Sequence, residues 1–126
     1  MLYKEITEKI IAASFEVHNT LGSGFQELIY QRALEIELAA VNVTFEREKE
    51  MPILYKGNQI GARRVDFFVA GKIMVELKAV VQLVGVHLAQ AKNYLEAYNI
   101  EIGLLINFGS ASMQFKRVHN KKLFCN

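Results

Sequence analysis

Cysteine occurs once in the 126 residues, at Cys125, and proline once, at Pro52. A single thiol cannot close an internal disulfide or build a thiolate metal cage, so Cys125 reads as an incidental residue near the C-terminus. No apolar run approaches the ~20 residues needed to cross a bilayer as a helix. The opening stretch, MLYKEITEKI, carries acidic residues and no continuous apolar block, so a secretory leader is not expected. An excess of charge of one sign is missing too. Fifteen Lys and Arg stand against thirteen Asp and Glu, a net +2 that does not by itself mark a nucleic-acid binder. The expectation left by these absences is a cytoplasmic protein without a membrane partner.

What is present is a folding sequence. Apolar residues make up 52% and charged residues 22%, the balance of a globular chain, and the length suits one domain spanning 1–126. There is no internal repeat, low-complexity tract or linker. Leu2, Ile6, Ile10, Ala13 and Val17 recur at helical spacing and predict a first helix from 2 to about 19. Leu21-Gly22-Ser23-Gly24 breaks it. A second helix is expected from about Phe25 to Ala40, with Leu28, Ala33 or Leu34, and Leu38 inward. Residues 43 to 55 read as one or two strands, with Lys56-Gly57-Asn58 as the following turn. Two strands, Arg63 to Val69 and Lys72 to Val80, flank Ala70-Gly71. A third helix covers 83 to 98, with Leu88, Ala91 and Leu95 buried, before strands at Ile100 to Phe108 and Ser112 to His119. The order α-α-β-β-β-β-α-β-β predicts an α/β fold with a mixed sheet, and a helix joining parallel strands favours a right-handed crossover.

The chemistry concentrates in one hairpin. Ile73, Val75 and Leu77 alternate to one face of their strand, which leaves Glu76 and Lys78 together on the other. Charges on so apolar a strand are costly unless they pair or bind something. Folding about Gly71 with an odd-numbered loop, Ala70-Gly71-Lys72, sets Asp66 opposite Glu76 and Arg64 opposite Lys78. A two-residue loop would throw the acids to opposite faces. In the first register their Cβ atoms stand ~4.5–5.5 Å apart, where like charges repel. A divalent cation turns that repulsion into a site, and oxygen-only ligands favour Mg²⁺ or Mn²⁺ over Zn²⁺. Lys78, ~6.5–7 Å further along the same face, is placed to stabilise charge at an attacked phosphate. An isolated E-x-K is better explained by a plain ion pair; the opposed aspartate and the apolar strand around it argue for more.

Asp66 followed by Glu76-Leu77-Lys78 resembles the D…(D/E)-x-K signature of the PD-(D/E)XK nuclease superfamily. Gly24-Phe25-Gln26-Glu27-Leu28-Ile29-Tyr30 resembles the motif that names its GxxExxY family. Phe15-Glu16-Val17-His18-Asn19, Leu21-Gly22, Arg64-Val65-Asp66, Val75-Glu76-Leu77-Lys78-Ala79, Ile106-Asn107-Phe108-Gly109 and Phe115-Lys116-Arg117 extend the likeness over roughly 5 to 118. Val65 stands where the superfamily's name has proline. The resemblance implies a restriction-endonuclease-like α-β-β-β-α-β core, a mixed central sheet flanked by helices. It also implies metal ligation by Asp66 and Glu76, and a catalytic Lys78. Related nucleases often add an acid from the first core helix, and Glu27 matches; without the family it is an acid favoured by a helix N-terminus. His87, Gln90 and Tyr94 share a face of the third helix. Read alone the stripe is a solvated helix face, but Gln90-x-x-x-Tyr94 resembles a Q-x-x-x-Y element found near the nucleic acid in some members, which implies a site-facing Gln90, while a lone His87 is more often structural.

Three functions follow. The first is a Mg²⁺-dependent phosphodiesterase on nucleic acid, DNA before RNA, with Arg64, Lys116 and Arg117 holding the backbone beside Gln90 and Tyr94. The second is an inactive module of the same fold that binds nucleic acid or protein. The third is a scaffold forming a homo-oligomer or joining a partner protein, suggested by the high apolar fraction of a small chain.

Overall fold

The interior strands are the most apolar segments, and the sheet they form orders everything else. The computed structural model describes residues 3–124, so Leu2 and Cys125 lie outside the described residues. Helices α1 (Lys4–Leu21) and α2 (Glu27–Ala40) are followed by strands β1 (Phe45–Tyr55), β2 (Asn58–Val69) and β3 (Ile73–Lys78). Helix α3 (Gly85–Ala97), strands β4 (Ile102–Asn107) and β5 (Gln114–His119), and the four-residue α4 (Lys121–Phe124) complete the chain. The sheet order is β1-β2-β3-β4-β5. Only β3 and β4 run parallel, joined across α3, so the sheet is mixed and the expected α-β-β-β-α-β core is present.

Alternation along the strands makes two cores. Phe67, Val69, Ile73, Val75, Leu77, Leu104, Ile106 and Phe108 meet Ile10, Val17, Tyr30, Leu34 and Leu38 from α1 and α2. On the other face Val65, Met74, Leu105 and Val118 meet Ala91 and Leu95 of α3. Burying one such large side chain contributes about 1.5–3 kcal/mol, so these layers dominate stability. Edge strand β1 carries Glu46, Arg47, Glu48, Lys49 and Glu50, charges that discourage pairing with another sheet.

Three expectations need correction. Residues 43–55 hold one strand, so three strands and not four precede α3. Leu28 is 42% exposed, whereas Tyr30, Gln31, Leu34 and Leu38 are buried. Leu28 and Leu34 are six residues apart, about 240° round a helix, so one phase cannot bury both. Helix α4 was not anticipated; four residues are too few to show a period.

Two loops depend on particular side chains. Gly22, at φ 77, ends α1 with its N–H donating to the His18 carbonyl. Tyr30 of α2 donates its hydroxyl proton to the Gly22 carbonyl, accepts from the Phe25 N–H, and stacks on Phe108 with centroids 4.6 Å apart. The tyrosine of G-x-x-E-x-x-Y is therefore buried and pins the α1–α2 turn to the sheet. Beyond β3, fully buried Asn107 accepts from the Val80 and Gly109 N–H groups and donates to the Val80 carbonyl and Gln114. Gly109 lies so close that an added Cβ would sit 2.4 Å from both the nitrogen and oxygen of Val80. That contact holds the chain leaving Lys78. Gly109→Ala is expected to lower stability by about 3 kcal/mol, the upper range for overpacking, read as a fall in urea midpoint at unchanged slope.

Candidate active site

The β2–β3 hairpin has the predicted register: Phe67↔Val75, Phe68↔Met74 and Val69↔Ile73 pair around a three-residue loop. Both Ala70 (φ 54) and Gly71 (φ 65) take left-handed backbone there, so the turn strains a non-glycine as well. Pairing stops at Asp66. Its Oδ2 accepts the Leu77 N–H at 2.8 Å, so a side chain replaces the backbone oxygen that a continuing ladder would supply. The β1–β2 ladder likewise has no Glu48–Asp66 rung, running Arg47↔Phe67 and then Lys49↔Val65, with Glu48 at φ 52. Side-chain parity reverses at this point. Phe67 and Val69 face α1 and α2, but Val65 faces α3.

That reversal decides which arginine reaches the acids. Arg63, and not Arg64, lies beside Glu76, with Nη2 2.8 Å from Oε1 and the guanidinium 3.9 Å from the centroid of Tyr94. The Arg64–Lys78 pairing drawn from uninterrupted alternation does not form, and Arg64 is exposed. Glu76 is 5% exposed, and its Oε1 has the arginine's charge without a hydrogen bond of good direction. Burial pushes the Glu76 carboxyl up to about 8; Arg63 opposes the shift, and nearby Asp66, within hydrogen-bonding reach, adds to it. Lys78 is half-buried at the end of β3 and lowers the charge cost of Glu76. Its carbonyl accepts from the Phe108 N–H.

Around this centre the other expected residues are unevenly placed. Glu27 is exposed in the first turn of α2, one turn before Gln31, whose Nε2 donates to Asp66 Oδ1 at 2.8 Å. Tyr94 touches the site through Arg63, while Gln90 is exposed one turn earlier on α3. His87 accepts the Val84 N–H at its Nδ1 and so caps α3. Lys116 and Arg117, adjacent on β5, point to opposite faces; Lys116 shares the cross-strand row of Glu76 and Leu105, about 10 Å from Glu76 by strand spacing. Sequence reasoning missed Gln31, Arg47 and Arg63. The Glu27, Gln31, Glu35 spacing at i, i+4, i+8 was the available signal for a polar face on α2.

A buried and a half-buried carboxyl group close together, with an under-bonded oxygen on Glu76, are hard donors that fit Mg²⁺ or Mn²⁺. Mg²⁺ commonly takes only one or two protein carboxylates and completes its shell with water and phosphate. Among the described residues, no group of three or more His, Cys, Asp or Glu is placed to hold a metal. Likewise, no helix among them is long and apolar enough to cross a membrane.

A mixed five-stranded sheet flanked by helices, with paired acids where the second and third strands diverge, defines a restriction-endonuclease-like α/β protein. Residues 4–118 match the model of the PD-(D/E)XK nuclease superfamily, and the chain belongs to that superfamily. The crystal structure of SSO0001 is similar, with a TM-score of 0.57 and 24% identity over 72% of this chain and 48% of that one. At that identity the likeness bears on fold alone, and the chain spans about half the length of SSO0001. No curated protein matches.

The raised carboxyl has a signed consequence. Between its unfolded value of 4.5 and about 8, Glu76 keeps its proton in the folded state and loses it on unfolding. The unfolded state therefore binds fewer protons, and stability of the metal-free protein falls as pH rises through this window, by at most about 1.4 kcal/mol per unit. Denaturant midpoints measured from pH 5 to 8 should decline in the wild type and decline much less in Glu76→Gln.

Proposed function

We propose that the chain, as one domain over 1–126, is a Mg²⁺- or Mn²⁺-dependent nuclease of the GxxExxY type that hydrolyses phosphodiester bonds, in DNA before RNA. The observation that carries this reading is the convergence of Asp66, Glu76 and Lys78 at the point where β2 leaves β3. Asp66 and Glu76 would hold the cation, and Glu27 is the candidate further acid from α2. When bound, the cation supplies positive charge at the scissile phosphate and acidifies water. Lys78 donates to a non-bridging oxygen or to the attacking water, stabilising charge that grows during the reaction. Glu76 must give up both its proton and its close pairing with Arg63, which frees a cationic side chain for the phosphate beside Tyr94. Exposed Arg64 and Lys116, with Arg117, Gln90 and Tyr94, are the candidate contacts to the nucleic-acid backbone, and their contribution should weaken with salt.

One feature favours a second reading. Arg63 already sits against Glu76 and supplies the positive charge that a cation would bring. A module that binds nucleic acid or a partner protein without cleaving would keep that pair closed.

Cleavage of labelled single- and double-stranded DNA and RNA in Mg²⁺ or Mn²⁺ separates the readings. The nuclease is expected to lose at least a hundredfold in rate in Glu76→Ala and in Lys78→Ala, with the metal-induced rise in Tm lost in Asp66→Ala and Glu76→Ala. Salt-sensitive binding that survives these substitutions, with no cleavage and no metal-induced stabilisation, would establish the binding module instead.

A further inference from the structure

A buried glutamine links an arginine on β1 to one of the paired acids. Gln31 is 4% exposed on α2, and both ends of its amide are engaged. Nε2 donates to Asp66 Oδ1 at 2.8 Å, and Oε1 accepts from Arg47 Nη1 at 2.9 Å. A primary amide can turn over, exchanging donor for acceptor, but a guanidinium has only protons to offer. Arg47 therefore admits one orientation, with the NH₂ group toward Asp66. Arg47 is itself anchored, its Nε 3.1 Å from Glu35 Oε2, and Glu35 lies one turn beyond Gln31 on the same helix face. The ladder reverses parity immediately after Arg47, so this is the last β1 side chain before the reversal that faces α2.

The consequence falls on Asp66. Its Oδ1 accepts from Gln31 and its Oδ2 from the Leu77 N–H, one donor on each oxygen. The carboxylate plane is thereby fixed by a helix on one side and a strand on the other. Each oxygen keeps a second lone pair, and Asp66 lies near enough to Glu76 for the two carboxyl groups to influence one another.

We propose that Gln31 is a positioning residue that holds Asp66 for divalent-cation binding, and that Arg47 acts only through Gln31 by fixing its amide. The inference rests on the nuclease reading above, but it concerns two residues outside the D…E-x-K signature. Removing an outer hydrogen-bond partner of a ligand commonly weakens metal binding by about 10- to 100-fold.

Calorimetric titration of Mn²⁺ into the full chain, with the metal-free thermal midpoint recorded for each variant, tests the relay. Gln31→Met keeps the length of the side chain and removes the donor; its Mn²⁺ Kd should rise about tenfold or more. Arg47→Met should weaken binding less, and Arg47→Lys, which still donates, should recover part of the loss. Should Gln31→Met not fold, the two Arg47 variants carry the same test at a half-exposed position. The double variant should bind no more weakly than Gln31→Met, because Arg47 has no separate route to the cation. A merely structural pair would lower the metal-free midpoint and leave Kd unchanged, which overturns the proposal while leaving the nuclease reading intact. Additive losses in the double variant would overturn the relay. Absence of Mn²⁺ binding in the wild type would overturn the nuclease reading and the proposal together.

Discussion

Glu76 is a carboxyl carried into the interior on a strand whose other residues from Ile73 to Leu77 are all apolar and buried. An isolated charge there would be prohibitively costly, and the surroundings meet that cost by proton retention and by the Arg63 guanidinium. Much of the local architecture answers this one constraint. Arg63 reaches Glu76 because β2 reverses parity at Asp66, and Tyr94 gives the arginine an aromatic face on which to lie. Asp66 repairs the gap opened in the ladder by taking the Leu77 N–H itself. An acid is thus both a candidate ligand and a structural cap, which ties the position of the site to the integrity of the hairpin.

The surrounding fold supplies rigidity from three directions. Helix α2 delivers Gln31 to Asp66, and its Tyr30, one residue earlier, is stacked on Phe108 and bonded to the α1–α2 turn. Strand β4 runs parallel to β3 from Ile102↔Ile73 to Asn107↔Lys78. Asn107 then clamps Val80, two residues beyond Lys78, with Gly109 packed against it. The lysine therefore leaves β3 between two fixed points. Helix α3 covers the remaining side and holds Arg63 through Tyr94. A constellation held on strands and backed by buried hydrogen bonds is more exact than one built on mobile loops, because each supporting group has a single low-energy arrangement.

Several residues of the extended sequence likeness are explained by packing and not by chemistry. Tyr30, Asn107, Phe108 and Gly109 are structural, and His18 sits with Nε2 3.0 Å from the Ser110 carbonyl. They close the α1–α2 turn and hold the chain that follows β3. The candidate chemistry lies in Asp66, Glu76 and Lys78, and the paired-acid geometry depends on the packing residues only indirectly.

The period of the apolar residues was enough to read the three main helices, the mixed sheet and the hairpin register from sequence. Helical and strand spacings are local properties, and Gly71 with an odd loop makes Asp66 and Glu76 neighbours in any fold that keeps the hairpin. The E-x-K pair on an apolar strand also announced itself locally, since alternation alone puts Glu76 and Lys78 on one face. Tertiary structure decided the rest. Which face of α2 turned inward depended on packing against Phe67 and Phe108, and Gln31 replaced Leu28 beneath it. Arg63 came to lie beside Glu76, and the expected Arg64–Lys78 pair did not form, because the strand reverses its alternation at Glu48 and Asp66, where a side chain intrudes into the ladder. A periodic reading assumes that alternation persists. It fails where the Asp66 carboxylate takes the Leu77 N–H, and that point is the candidate site.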